Sequence, residues 1–373
     1  MTFENTPDFA KAQDESDPLK SFRAKFHIPE INGQKAIYFC GNSLGLQPKS
    51  TRTYIDNELT IWQERAVEGH FTGSKPWADY HKLSKASLAR LVGAGTSEVV
   101  AMNNLTTNLH LLLASFYQPR GKRVKLMIES GAFPSDHYAA ESHMRQKGID
   151  PGDHLITISP KAGKLFQKNE IEEIIKSYGD ELALVMLPGV QYYTGQYFDM
   201  ASITKAAHET GAFAGFDLAH AVGNLPLSLH DWEVDFATWC SYKYVNSGPE
   251  GISGIFIHEK HSSDPHFPKL TGWWGHDRST RFQMDNRFVP NPGVDAWMLS
   301  NGNIISAAAH LASLEIFDQT SMEALRGKSV NLTGYLEFLM RTDPIIAKHI
   351  EILTPKNPEE RGCQLSVFID QHG

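Results

Sequence analysis

Seven short apolar runs, separated by polar and amphipathic segments, occupy residues 97–258, and nothing else in the chain limits its fold so strongly. They fall at 99–102, 124–128, 154–158, 183–187, 213–216, 236–241 and 254–258, and several are apolar at every position rather than at alternate ones. A strand of that kind needs cover on both faces, which is the condition of a parallel sheet held between helices. Segments 170–178 and 203–210 carry apolar residues at helical spacing and read as crossover helices. The expectation is an α/β fold with a largely parallel sheet flanked by helices. Ligands of such sheets collect at the carboxyl ends of the strands, so the residues just after each run are where chemistry is expected. Outside this region, 55–65, a stretch through Ala307, Leu311, Leu314 and Phe317, and 329–340 read as helices, and 364–369 as a strand.

Composition narrows the function. The 373 residues carry a formal net charge of -8 with no basic run, which argues against DNA or RNA as a partner. No uncharged apolar stretch reaches the roughly 18–20 residues of a membrane span, and the acidic residues 1–20 have no apolar segment of a secretory signal. Cys40, Cys240 and Cys363 are far apart, with no C-x-x-C pair for zinc or a dithiol, so no metal is expected and a reducing, cytoplasmic compartment fits. The N-x-[ST] matches at Asn104 and Asn331 then read as chance. Other motifs fail on spacing: Gly327-Lys328-Ser329 has Met322 where a P-loop has glycine, and His258-Glu259-Lys260-His261 brings its second histidine one residue early for a zinc helix.

The informative residues are Asp217, after the run 213–216, and Lys243, in the Tyr242-Lys243-Tyr244 triplet after the run 236–241. A carboxylate at the tip of a buried strand needs a cationic partner. A lysine desolvated between aromatics is suited to imine chemistry. An aspartate and a lysine from successive strands are the pair a pyridoxal phosphate site requires, the lysine holding the aldehyde and the aspartate keeping the pyridine nitrogen protonated. Two further segments agree. Asn103-Asn104-Leu105-Thr106-Thr107 precedes an apolar helical run, a natural phosphate cradle, and Phe133-Pro134-Ser135-Asp136 follows the run 124–128 with a ring to stack and a carboxyl to accept.

These motifs, with Tyr38-Phe39-Cys40-Gly41-Asn42-Ser43-Leu44-Gly45, Phe216-Asp217-Leu218-Ala219-His220-Ala221-Val222-Gly223-Asn224, Trp239-Cys240-Ser241-Tyr242-Lys243-Tyr244 and Ser279-Thr280-Arg281-Phe282, resemble the kynureninases from about Tyr38 onward. The resemblance implies the aspartate-aminotransferase fold: an amino-terminal segment (1–50) packing with the small domain, a large cofactor-binding domain (51–304) and a small α/β domain (305–373), shorter than in the family. It implies pyridoxal phosphate and the hydrolysis of L-kynurenine or its 3-hydroxy form to anthranilate or 3-hydroxyanthranilate and L-alanine, a step of tryptophan catabolism and NAD biosynthesis. Lys243 would bear the cofactor, with Asp217 and His220 at the pyridine edge and Phe133 on the ring. Pro134, Ser135 and Asp136 would lie beside it, and Leu105, Thr106 and Tyr242 at the phosphate. Trp273 and Asn301 would come from the second subunit of a homodimer. His70, His276, Ser300 and Asn301, with Asn42 and Ser43 nearby, would form the aryl pocket. Tyr242 is also assigned as proton donor to the carbonyl oxygen.

Two departures stand out. Pro188 replaces a serine found in many family members, a change expected to be tolerated. Family chains also continue past residue 373 into a strand whose arginine binds the substrate α-carboxylate, which keeps an inactive cofactor-binding protein as an alternative. A desulfurase or selenocysteine lyase is the other, and it would need a nucleophilic cysteine, for which Cys363 is the only candidate.

Overall fold

All seven apolar runs become strands of one sheet in the computed structural model, which describes residues 2–370. They are β1 (Val99–Ala101), β2 (Lys125–Glu129), β3 (Leu155–Ile158), β4 (Leu182–Pro188), β5 (Phe213–Asp217), β6 (Phe236–Trp239) and β7 (Gly254–Ile257). Their spatial order is β1-β7-β6-β5-β4-β2-β3. β7 alone runs antiparallel to its neighbours β1 and β6, and the other pairings are parallel. The continuous apolarity of the runs follows from this geometry. Along β4, Val185 and Leu187 join the core on one face, while Leu184 and Met186 join the core on the other.

Around the sheet lie α1 (Thr51–Arg65), α2 (Leu105–Phe116), α3 (Pro134–Gln146), α4 (Glu170–Tyr178), α5 (Met200–Thr210), α6 (Ile304–Phe317) and α7 (Met322–Thr342). The second helix expected near the carboxyl end starts earlier than its apolar pattern because Ser321 caps it, its hydroxyl accepting from Ala324 N at 3.2 Å. The run 236–241 stops short as a strand: beyond Trp239 the chain leaves the ladder for the turn that presents Lys243. The expected strand 364–369 is likewise reduced to Val367–Ile369, paired antiparallel with Ile350–Ile352, because Cys363 and Gln364 bond to the sheet's loops instead. Near the amino terminus, Phe3 and Phe9 pack their rings on Tyr335 of α7. No helix among the described residues is long and apolar enough to cross a membrane.

Opposite the carboxyl ends of the parallel strands, two buried carboxylates close the sheet. Asp235 accepts from Ala214 N at 2.7 Å and meets His208, His261 and Lys260 within 2.7–3.0 Å. Glu98 accepts from the backbone N–H groups of Gly95 and Glu259, each at 2.7 Å, and lies 3.0 Å from His230 Nδ1. Burial alone would raise the Asp235 carboxyl, but the hydrogen bonds from His208 and His261 and the charge of Lys260 outweigh it and hold the group below its usual range. A carboxyl depressed on folding adds stability that is present above its unfolded value near ~3.9 and is lost as the pH falls through the folded value. Replacing Asp235 by Asn is expected to cost about 3 kcal/mol at pH 7 in urea unfolding, with the difference from the parent shrinking below about pH 4. An unchanged midpoint at pH 7 would show the cluster to be structurally idle.

Candidate active site

The carboxyl ends of β2, β4, β5 and β6 surround a cavity of about 620 Å³. Asp217 ends β5, and its backbone is held from both sides: its carbonyl accepts from Gly189 N at 2.9 Å, and the next N–H, of Leu218, donates to Thr238 O at 2.8 Å. Because β5 and β6 are parallel and in register at Asp217 and Thr238, the turn after β6 delivers Lys243 to the same end of the sheet. Lys243 Nζ lies 2.9 Å from His220 Nε2.

The electrostatics of the far wall are unusual. Asp217 and Asp136 are both buried and in hydrogen-bond contact, so they cannot both be ionised cheaply. Burial, then the charge of Asp217, drives the Asp136 carboxyl well above its usual value. Asp217 is also raised by burial, but the Ala219 N–H at 2.7 Å and the Lys243 charge hold it back. Asp136 is therefore the protonated partner and Asp217 the anion. Asp136 Oδ1 has no protein partner. A buried carboxylate held by a backbone N–H and a neighbouring protonated carboxyl can also accept from a cationic ring N–H, which is what a protonated pyridine presents.

On the opposite side, α2 begins at the cavity. Asn103 takes φ +48°, Asn104 caps Thr107 N at 3.2 Å, and the first N–H groups of the helix, at Leu105 and Thr106, have no intrahelical partner. That end suits a phosphate. Phe133 is half exposed at the rim, edge-on to Tyr192 at 5.5 Å. The residues present thus fit pyridoxal phosphate at every part of the molecule: an amine, an acid pair, an aromatic face and an anion cradle.

Of the residues expected from sequence, Asn42, Ser43, Leu105, Thr106, Phe133, Ser135, Asp136, Asp217, His220, Tyr242 and Lys243 line this cavity. Six others do not, within one chain. Pro134 is taken up in the first turn of α3. His70 packs edge-on to Trp77, with Nδ1 3.1 Å from Val67 O. His276 has both ring nitrogens engaged locally, Nε2 3.0 Å from Thr280 Oγ1 and Nδ1 accepting from Val289 N at 3.1 Å. Trp273 stands edge-on to Phe282, and Ser300 and Asn301 are exposed. Pro188 ends β4 in register with Asp217 and lines the cavity, so the strand accommodates it.

Glu129, Gln191, Tyr192 and Glu250 also line the cavity and were not anticipated. Glu129 ends β2, so the rule of strand ends would have found it; Gln191 and Tyr192 lie on the loop after β4. Burial raises the Glu129 carboxyl. Cys363 does not line the cavity, and burial raises its thiol to about 11, away from the low value of a reactive nucleophile.

Residues 37–372 match the family described as aminotransferase class-V. A kynureninase of Flavobacterium johnsoniae is 49% identical over 377 residues, covering 100% of this chain and 88% of the relative. One of Christiangramia forsetii is 50% identical over 375 residues, with the same coverage. Among solved structures, a C-DES mutant with glycine covalently linked to its PLP cofactor superposes with a TM-score of 0.74 at 18% identity, covering 90% of this chain and 83% of that one. The cysteine desulfurase CsdA of Escherichia coli superposes at 0.72 with 15% identity, covering 94% and 82%, a likeness of fold alone.

The amino-terminal loop braces the lysine. Gly45 N donates to Tyr242 O at 2.8 Å, and a Cβ at Gly45 would collide with Lys243 O and the Asn246 amide. Gly45→Ala is therefore expected to shift the lysine turn and weaken cofactor retention by roughly tenfold or more, read by titrating the visible absorbance band. Wild-type retention would show that the loop does not set the lysine.

Proposed function

The chain belongs to the kynureninases of the class-V aminotransferase family, enzymes of PLP-dependent kynurenine hydrolysis, and from that premise we propose how its own residues divide the work. The observation that carries the assignment is the meeting of Lys243 with the buried Asp217–Asp136 pair in one cavity. Pyridoxal phosphate, when bound, supplies an electron-accepting ring that makes the substrate Cα–H acidic and the Cβ–Cγ bond breakable.

Lys243 would hold the cofactor aldehyde and, with its amine free, would take the proton from Cα. Asp217, kept anionic beside protonated Asp136, holds the proton on the pyridine nitrogen. Leu105 and Thr106 bind the phosphate through the N-terminus of α2, and Phe133 covers the ring. Tyr242, whose phenol burial raises so that it stays protonated, donates to the γ-carbonyl oxygen as water adds there. Tyr242 would recover the proton the water loses, and as Cβ–Cγ breaks a hydroxyl proton of the adduct would pass to Cβ, giving the aryl acid and L-alanine.

The assembly proposed is a cytoplasmic homodimer. His70, His276, Trp273, Ser300 and Asn301 lie outside the cavity of their own chain, and the exposed faces of Trp273 and Phe282 are where a second subunit would bring them to its neighbour's site. The division into residues 1–50, 51–304 and 305–373 is retained as part of this proposal.

Purified protein with pyridoxal phosphate is expected to show a visible band and to form anthranilate from L-kynurenine or 3-hydroxyanthranilate from the hydroxylated substrate. Lys243→Ala should lose the band and turnover together, and persistence of either refutes the lysine's role. Asp217→Asn should retain binding but lower kcat by about 100-fold or more, since a neutral amide cannot hold the ring proton.

A further inference from the structure

His220 has a partner on each side of its ring. Lys243 Nζ lies 2.9 Å from Nε2; the Tyr244 hydroxyl lies 3.4 Å from Nδ1, with the two rings edge to face at 5.9 Å. Burial, together with the nearby lysine charge, brings the imidazole down to about 3, so it stays neutral at physiological pH and carries a single proton. The two partners decide which nitrogen bears it. A lysine ammonium can only donate, so it demands a lone pair at Nε2 and leaves the proton on Nδ1. The Nδ1–H then needs an acceptor, and the Tyr244 oxygen is in place for it.

Tyr244 has lone pairs with which to accept, and the Cys363 thiol is close enough to act on its phenol. Burial pushes both the phenol and the thiol up, so each keeps its proton. One side chain sets the spacing of this arrangement. Asn224 Nδ2 donates to His220 O at 2.8 Å, while Asn224 Oδ1 accepts from Cys363 N at 2.9 Å. Gly362 is required beside it, because a Cβ there would collide with the Asn224 amide.

We infer that Tyr244 is a positioning residue: its hydroxyl oxygen accepts from His220 Nδ1 and so turns the Nε2 lone pair toward Lys243. The inference rests on the reading of Lys243 as the cofactor lysine. When Lys243 takes the substrate proton, its ammonium finds an acceptor already oriented, and no further proton transfer is needed.

The test uses holoenzyme labelled with 15N-histidine and saturated with L-alanine, the product amino acid, so that Lys243 is free. The spectrum is expected to place the His220 proton on Nδ1. Tyr244→Phe should keep the cofactor band and nearly the same KM, mix the two tautomers and lower kcat roughly 10–100-fold. A parent spectrum with the proton on Nε2 overturns the inference, and needs no variant to fold. So does a Tyr244→Phe protein that keeps Nδ1–H and full kcat. Retention of the visible band by Lys243→Ala would instead remove the reading of the site beneath it.

Discussion

The parallel pairing of β5 with β6, which sets Asp217 opposite Thr238, is the constraint on which the site depends. Both strands are buried almost throughout, and the backbone bonds that continue past them, Gly189 N to Asp217 O and Leu218 N to Thr238 O, hold their register. With the register locked, Asp217 and the turn bearing Lys243 must emerge at the same end of the sheet. Gly189 N, donating from the loop after β4, fixes the aspartate from the other flank. An acid and an amine 26 positions apart in sequence are thereby held across one cavity by hydrophobic burial that makes no contact with the reaction.

Charge is distributed unevenly between the two ends of the sheet. At the amino end, Asp235 and Glu98 are each surrounded by histidines and backbone N–H groups of the protein itself. At the carboxyl end, Asp136 and Asp217 face each other in low dielectric and share a proton. The first arrangement stabilises the fold; the second reserves its electrostatic strength for a cationic partner. The cofactor chemistry is placed at the end where the protein has left its own charges incompletely matched.

Much of this was legible in the sequence for identifiable reasons. Two-sided burial leaves continuous apolar runs, so the strands could be located, and a buried strand followed directly by Asp217 or closely by Lys243 marks a tip where polarity has a purpose. Segment ends were less legible. Nothing local tells that residues 240–241 leave the ladder, or that Cys363 and Gln364 bond to the loops bearing Asn224 and Tyr192 rather than extend a strand. His70 and His276 carry no signal separating a ligand-binding ring from one bonded within its own loop, and within the chain they are the latter.

What the sequence by itself determined is the α/β class and the family, because these rest on periodicity and on short contiguous motifs; the same motifs singled out Lys243 and Asp217, which meet in one cavity. Only the tertiary structure decided that Asp136 meets Asp217, that His220 lies between Lys243 and Tyr244, and that Glu129, Gln191 and Tyr192 join the cavity wall. Protonation and hydrogen-bond direction depend on distances and desolvation among residues remote in sequence, such as Asp136 with Asp217 and His220 with Tyr244. Those quantities come into existence only when the strands have packed.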